Sequence, residues 1–260
     1  MLLRDKVVIV SGVGPGLGRE LAFCAGREGA RVVLAARTES FLEEVRAKLE
    51  AAGTEALAVP TDVTAKTQCH RLVRATLDRF GRVDALINSA YTMGRLMPFE
   101  DADLDRWQVP FKVNWFGSLR LSQEVVAPMK AQGGGAIVMV GSVAARKPMA
   151  NDTAYAASKA ALQAAARNLA LELGPHRIRV NTAMLGRMWG PSVETQVAQV
   201  AASRGVSGEE VKREFAARMA LPAIPDDADC AGAVLFLASD YARAITGATL
   251  DVNAGEFMPT

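Results

Sequence analysis

Tyr155 and Lys159 stand four residues apart in Tyr155-Ala156-Ala157-Ser158-Lys159. On a helix that spacing puts both side chains on one face, so the Lys159 ammonium can approach the Tyr155 hydroxyl. A nearby cation favours phenolate and lowers a tyrosine pKa from its usual value of about 10. The phenol then comes closer to the pH at which it exchanges a proton with a bound molecule. The same spacing also occurs on ordinary surface helices, so the pair takes its meaning from its surroundings.

A second segment with chemical content is Ser11-Gly12-Val13-Gly14-Pro15-Gly16-Leu17-Gly18. It lies between an apolar run and a helical pattern. Glycines there allow a tight turn and close approach of backbone to a pyrophosphate, which can sit at the positive end of the following helix. The spacing is Gly12-xxx-Gly16-x-Gly18 rather than G-x-G-x-x-G, since Leu17 takes the last position of that pattern. A dinucleotide is the expected ligand. A carboxylate at the end of the second strand would bind a ribose 2′-hydroxyl and repel a 2′-phosphate. This chain has Ala35-Ala36-Arg37-Thr38 there, with no carboxylate before Glu39. Arg37 suits a phosphate, so NADP(H) is expected over NAD(H).

The elements that position these residues follow from hydrophobic patterning. Strand-like runs fall at 6–10, 31–35, 55–59, 83–87, 135–140, 178–182 and 248–252, and helical patterns at 17–27, 40–52, 65–80, 102–132, 154–173 and 227–238. Such alternation predicts a single α/β domain over residues 1–260, a doubly wound Rossmann-type fold with a seven-stranded parallel sheet. Asp62, Asn88, Ser142 and Gly186 join Arg37 and the Gly12 turn just at or past strand ends. Ligands bind at the carboxyl ends of the strands in open α/β sheets. The stretch from Gly186 to Pro225 is too long for a bare loop. It is expected to form a helical substrate lid over about 187–225, with a helix near 209–219.

Bulk properties narrow the function classes. Of 260 residues, half are hydrophobic and 22% charged, with a net charge of +2. That balance suggests neither a nucleic-acid nor a membrane partner. Cys24, Cys69 and Cys230 form no CxxC pair, and His70 and His176 no metal-ligand pattern, so no metal site is expected. No signal-like or membrane-length apolar stretch occurs, and a cytoplasmic location is expected.

Taken together, these pieces resemble the short-chain dehydrogenase/reductase family, in its single-domain oxidoreductase branch. The resemblance runs from Lys6 to about Gly255 and rests on the Gly12–Gly18 turn, Asp62-Val63, Asn88-Ser89-Ala90, Asn114, Ser142, Tyr155-Ala156-Ala157-Ser158-Lys159, Arg179-Val180-Asn181 and Ile245-Thr246-Gly247. It implies interconversion of an alcohol and a ketone or aldehyde by hydride transfer. Tyr155 would be the acid/base, and Lys159 would tune it and hold the nicotinamide ribose. Ser142 would bind the substrate oxygen, and Asn114 would order water in a relay with Lys159. Gly12, Gly14, Gly16, Leu17 and Gly18, Arg37, Asp62, Val63, Asn88, Ala90, Tyr155, Lys159, Gly186 and Met188 would bind the cofactor. It also implies a homodimer or homotetramer packed through 102–132 and the alanine-rich helix after Tyr155.

The chain departs from the family pattern in three places. Tyr91 replaces a glycine, Leu185 replaces a proline, and Gly190-Pro191 replaces a threonine. Tyr91, Met93, Met149, Met184, Met188 and Trp189 are candidates for an apolar pocket, which suggests a cyclic or medium-chain carbonyl substrate. Three alternatives have different consequences. The chain could be a nucleotide-binding redox sensor without turnover, an NAD(H)-dependent dehydrogenase of the same fold, or an enzyme that uses the same residues for dehydration or epimerisation.

Overall fold

A computed structural model describes residues 1–258. The order is β1 (Val7–Ser11), α1 (Leu17–Arg27), β2 (Arg31–Ala36), α2 (Glu39–Ala51), β3 (Ala56–Pro60), α3 (Lys66–Phe80) and β4 (Ala85–Asn88). After α4 (Gln108–Pro110) come α5 (Ser118–Ala131), β5 (Gly135–Ser142), α6 (Thr153–Leu173), β6 (Ile178–Leu185), α7 (Pro191–Arg204), α8 (Gly208–Ala216), α9 (Asp227–Ala238) and β7 (Thr249–Val252). The strands form one seven-stranded sheet in the order β3-β2-β1-β4-β5-β6-β7. Every pairing is parallel, and the doubly wound sheet expected from the sequence is the one observed.

β1 shows why its run lacks apolar/polar alternation. Successive strand residues point to opposite faces, and both faces are covered. Val8 and Val10 join a core beneath α1 and α9 that includes Leu21, Ala25, Val234 and Leu235. Val7 and Ile9 join a core on the other face with Leu72, Leu121 and Leu162. Residues between β6 and α9 build their own small core from Val197, Ala201, Val211, Phe215, Met219 and Ile224. The expected helix near 209–219 is α8, with Ser207 Oγ accepting from Glu210 N at 3.2 Å as its cap. α7 precedes it, opened by Pro191 and closed by Gly205 in the left-handed conformation.

The continuous helix expected over 102–132 is not observed. That stretch contains a 3₁₀ turn at Leu104–Trp107, the single turn α4, a π-helical segment at Phe111–Gly117 and then α5. Pro110 lacks the N–H that a continuous helix needs. Gly117 lies so close to Val63 that a Cβ would sit 2.5 Å from Val63 Cγ2. The wide π turn carries Asn114, and such turns gather at functional sites. No helix among the described residues is long and apolar enough to cross a membrane.

Candidate active site

The sheet register aligns the strand ends. Ser11 pairs with Ala35 on one side and Asn88 on the other. β5 and β6 run further, so that Asn88 pairs with Met139 while Ser142 pairs with Leu185 three residues beyond. Ser142 therefore stands above the edge at which Asn88 ends. Lys159 and Tyr155 come from the first turns of α6.

At the β1–α1 turn, a Cβ on Gly12 would collide with the Ala90 backbone, and one on Gly18 would collide with the Gly12 carbonyl. Only glycine allows the turn to fold this tightly against the loop after β4. Gly14 faces open space, with nothing within 4 Å of a Cβ. Gly16 is the N-cap of α1 and has no side chain to satisfy the first helical N–H groups. Leu17 packs its side chain onto the core. Ser11 Oγ and Asn88 Oδ1 are buried without a hydrogen-bond partner among the described residues. A tight glycine turn, a helix N-terminus free of side-chain caps and two orphaned polar atoms fit a dinucleotide.

Arg37 is exposed at the end of β2. Its charge, with hydrogen bonds from Thr64 N and Thr64 Oγ1 at 2.8 and 2.7 Å, acts on Asp62. Burial works against ionisation of Asp62, but these contacts outweigh it and hold the carboxyl below its usual range. Val63 and Ala90 lie against this trough, with Val63 packed on Gly117 and Ala90 on Gly12. Gly186 follows β6, where its N–H donates to Val252 O at 3.1 Å. Met188 packs against the core under α1 and α9.

Lys159 is 2% exposed, and its Nζ donates to Val140 O at 2.7 Å. Burial brings its pKa down to about 8. Tyr155 is half-buried, and burial raises its pKa, with the Ser142 hydroxyl opposing that rise. The sequence-based expectation that Lys159 lowers the Tyr155 pKa is therefore corrected. The ammonium points to a strand carbonyl, and desolvation of the phenol dominates. Asn114 is fully buried. Its Oδ1 accepts from Thr92 N at 2.8 Å, and its Nδ2 donates to Thr92 O and Ser158 Oγ at 2.9 Å each. The side chain is fully used in bracing the loop after β4. Its main-chain carbonyl accepts from Ser118 Oγ at 2.8 Å.

The proposed pocket residues divide. Tyr91 is exposed and meets Tyr155 edge-on, with ring centroids 6.4 Å apart. Met93 lines a narrow cleft together with Arg95, Trp107, Asp152 and Tyr155. Met184 is fully buried in β6. Met149 is exposed. Trp189 carries the Lys212 ammonium 3.8 Å from its ring centroid.

Sequence reading missed Asp152. It is 2% exposed, and neither carboxylate oxygen has a partner among the described residues. Burial raises its pKa from 3.8 to about 6. Between those values the folded chain holds a proton that the unfolded chain has lost, so stability falls as pH rises through the window. Asp152→Asn removes this penalty. Its midpoint of denaturation should exceed the parent's at pH 7.5 by up to roughly 3 kcal/mol of stability, and the gap should close below pH 4. Equal midpoints at pH 7.5 would show that the carboxylate is not desolvated.

A family model described as short chain dehydrogenase matches residues 6–201. This chain belongs to the short-chain dehydrogenase family. It is accordingly an NAD(P)-dependent oxidoreductase. It is similar to an L-rhamnose 1-dehydrogenase (NAD(P)(+)) of Azotobacter vinelandii, at 34% identity over 99% of each chain. Among solved structures it is similar to L-sorbose reductase from Gluconobacter frateurii complexed with NADPH and L-sorbose, with a TM-score of 0.94, 27% identity and 100% of both chains covered. A 7α-hydroxysteroid dehydrogenase complexed with NADH and 7-oxoglycochenodeoxycholic acid superposes with a TM-score of 0.86 at 30% identity, covering 97% of this chain and 94% of the other. Among the described residues, no group of three or more His, Cys, Asp or Glu could hold a metal ion.

Proposed function

We propose that this short-chain dehydrogenase prefers NADP(H) and interconverts an alcohol and a ketone or aldehyde, with Tyr155 as its acid/base. The observation that carries this reading is the convergence of Ser142, Tyr155 and Lys159 beyond the carboxyl edge of β5, beside the glycine turn. When bound, the nicotinamide cofactor supplies or takes the hydride. The Tyr155 phenol keeps its proton at neutral pH and donates it as a carbonyl oxygen gains charge, with the Ser142 hydroxyl opposing the rise in pKa that burial imposes. The Ser142 hydroxyl helps to hold that oxygen and stabilise its charge. Lys159, whose Nζ lies 5.8 Å from the Tyr155 ring centroid and whose pKa burial brings down to about 8, replenishes the proton.

Arg37, with no carboxylate at the end of β2, supports the NADP(H) preference. The similar structures contain both cofactors, since the sorbose reductase is complexed with NADPH and the steroid dehydrogenase with NADH. Titration of nicotinamide fluorescence with NADPH and NADH separately tests the preference. Tighter NADPH binding supports it, and equal or tighter NADH binding overturns it. The helices α7 and α8, standing on their own small core, serve as the lid. The buried, free cysteines fit a reducing compartment such as the cytoplasm.

The outer face of α6, with Thr153, Ala157, Ala160, Ala164 and Leu171 exposed, supports a homodimer or homotetramer. Its small residues permit close helix approach, and Val109 and Phe116 extend the apolar surface. Light scattering at micromolar concentration should give a multiple of the chain mass. A monomer would refute the assembly.

A further inference from the structure

We propose that Asp152 receives a substrate hydroxyl, so that the carbonyl compound handled here carries a free hydroxyl group next to its carbonyl carbon. The inference rests on the oxidoreductase reading above and names the substrate class of that same site.

Asp152 is the residue before α6, three positions ahead of Tyr155. Positions at that separation share a helix face, and both residues line the same narrow cleft with Met93, Arg95 and Trp107. A group held by Asp152 is therefore close to the oxygen that Tyr155 serves. The carboxylate is almost wholly buried, yet neither oxygen accepts a hydrogen bond from the protein. Asp84 shows what this fold does with a structural buried carboxylate. It accepts from Val7 N at 2.8 Å and is clasped by Arg82 at 2.7 Å. Asp152 has no such clasp, and an unsatisfied buried charge is destabilising. A ligand that brings its own donor would complete it. The elevated pKa still leaves it ionised above neutral pH.

The charge pattern selects the donor. Arg95 on the same cleft repels an ammonium group, and Asp152 repels a carboxylate or phosphate. A neutral hydroxyl suffers neither repulsion. A purely hydrocarbon frame would seal the carboxylate away from water and give it nothing in return. Met93 and Trp107 give the same cleft apolar walls. The apolar carbonyl compound expected from the methionine content gives way to a polar one.

The test compares 2-hydroxycyclohexanone with cyclohexanone, and erythrulose with 2-butanone, as substrates for the purified chain with NADPH and with NADH. The parent should favour the hydroxylated member of each pair by about 10²-fold in kcat/KM, because a site built to bind a hydroxyl rejects the analogue that lacks it. Asp152→Asn should cut the ratio by about tenfold, and Asp152→Leu should bring it near one, chiefly through KM. The intrinsic reactivity of the ketones cancels in this comparison. Cofactor affinity unchanged in both variants would show that the site is still folded. A parent ratio near one, or a ratio untouched by either substitution, overturns the role of Asp152 while leaving the oxidoreductase reading in place. No turnover of any of the four by the parent overturns this inference, and retained cofactor binding in that case leaves the oxidoreductase reading standing.

Discussion

Tyr155→Phe should lower kcat by about 10³-fold, within the range of about 10² to 10⁴ that a positioned proton donor contributes. The substitution removes one oxygen and keeps the ring, so the edge-on contact with Tyr91 and the packing of α6 persist. Affinity for the cofactor should change only a few-fold, since the glycine turn and Arg37 are untouched. Steady-state kinetics on a hydroxyketone, together with fluorescence titration of the cofactor, separate the two effects. A loss confined to kcat marks an interaction made in the transition state rather than in binding. A kcat within tenfold of the parent would refute Tyr155 as the proton donor. The nearest substitute is then the phenol of Tyr91, and the double variant Tyr91→Phe/Tyr155→Phe would reveal it.

Arg37→Ala should weaken NADPH binding by about 10- to 100-fold, because charged hydrogen bonds contribute about 1.5 to 3 kcal/mol. NADH affinity should move less than about threefold, since the substitution leaves every other contact in place. Arg37 is exposed and faces the ionised Asp62 across the ends of β2 and β3. Part of its charge is therefore already answered, and the remainder is screened by salt. The loss should accordingly be larger in low-salt buffer than at 0.5 M salt. Equal weakening of both cofactors would mean that Arg37 acts on something they share, such as the trough floor, and not on a 2′-phosphate.

Asp152 illustrates a trade between stability and function. A carboxylate that lowers stability at neutral pH and sits three residues before Tyr155 is the kind of local inconsistency that functional sites retain. The expected gain in stability of Asp152→Asn and its expected loss of substrate discrimination belong to one physical cause, the missing donor.

Much of this molecule could be read along the chain. β-branched runs such as Val7–Val10 and Val32–Val33 mark strands buried on both faces, because a residue that must pack on either side of a sheet leaves no room for alternation. The tight glycine turn, Arg37 and the Tyr155–Lys159 spacing are local features. Their geometry is set within a few residues, so sequence alone determined where they would stand relative to their own elements. Whatever depends on distant segments was decided only in the tertiary structure. The break at Pro110 is local, but the close approach of Val63 to Gly117 spans more than fifty residues and belongs to the packed molecule. The Asn114 side chain is taken up by Thr92 and Ser158, which no spacing rule connects to it. Lys159 donates to Val140 and Tyr155 is shielded from water, which reverses the pKa direction that the helical spacing suggested. Asp152, unremarkable as a letter before a helix, becomes notable only when its surroundings are seen to hold no donor. Burial and hydrogen-bond satisfaction belong to the packed molecule, and they determine which of the chemically capable side chains in the sequence can act.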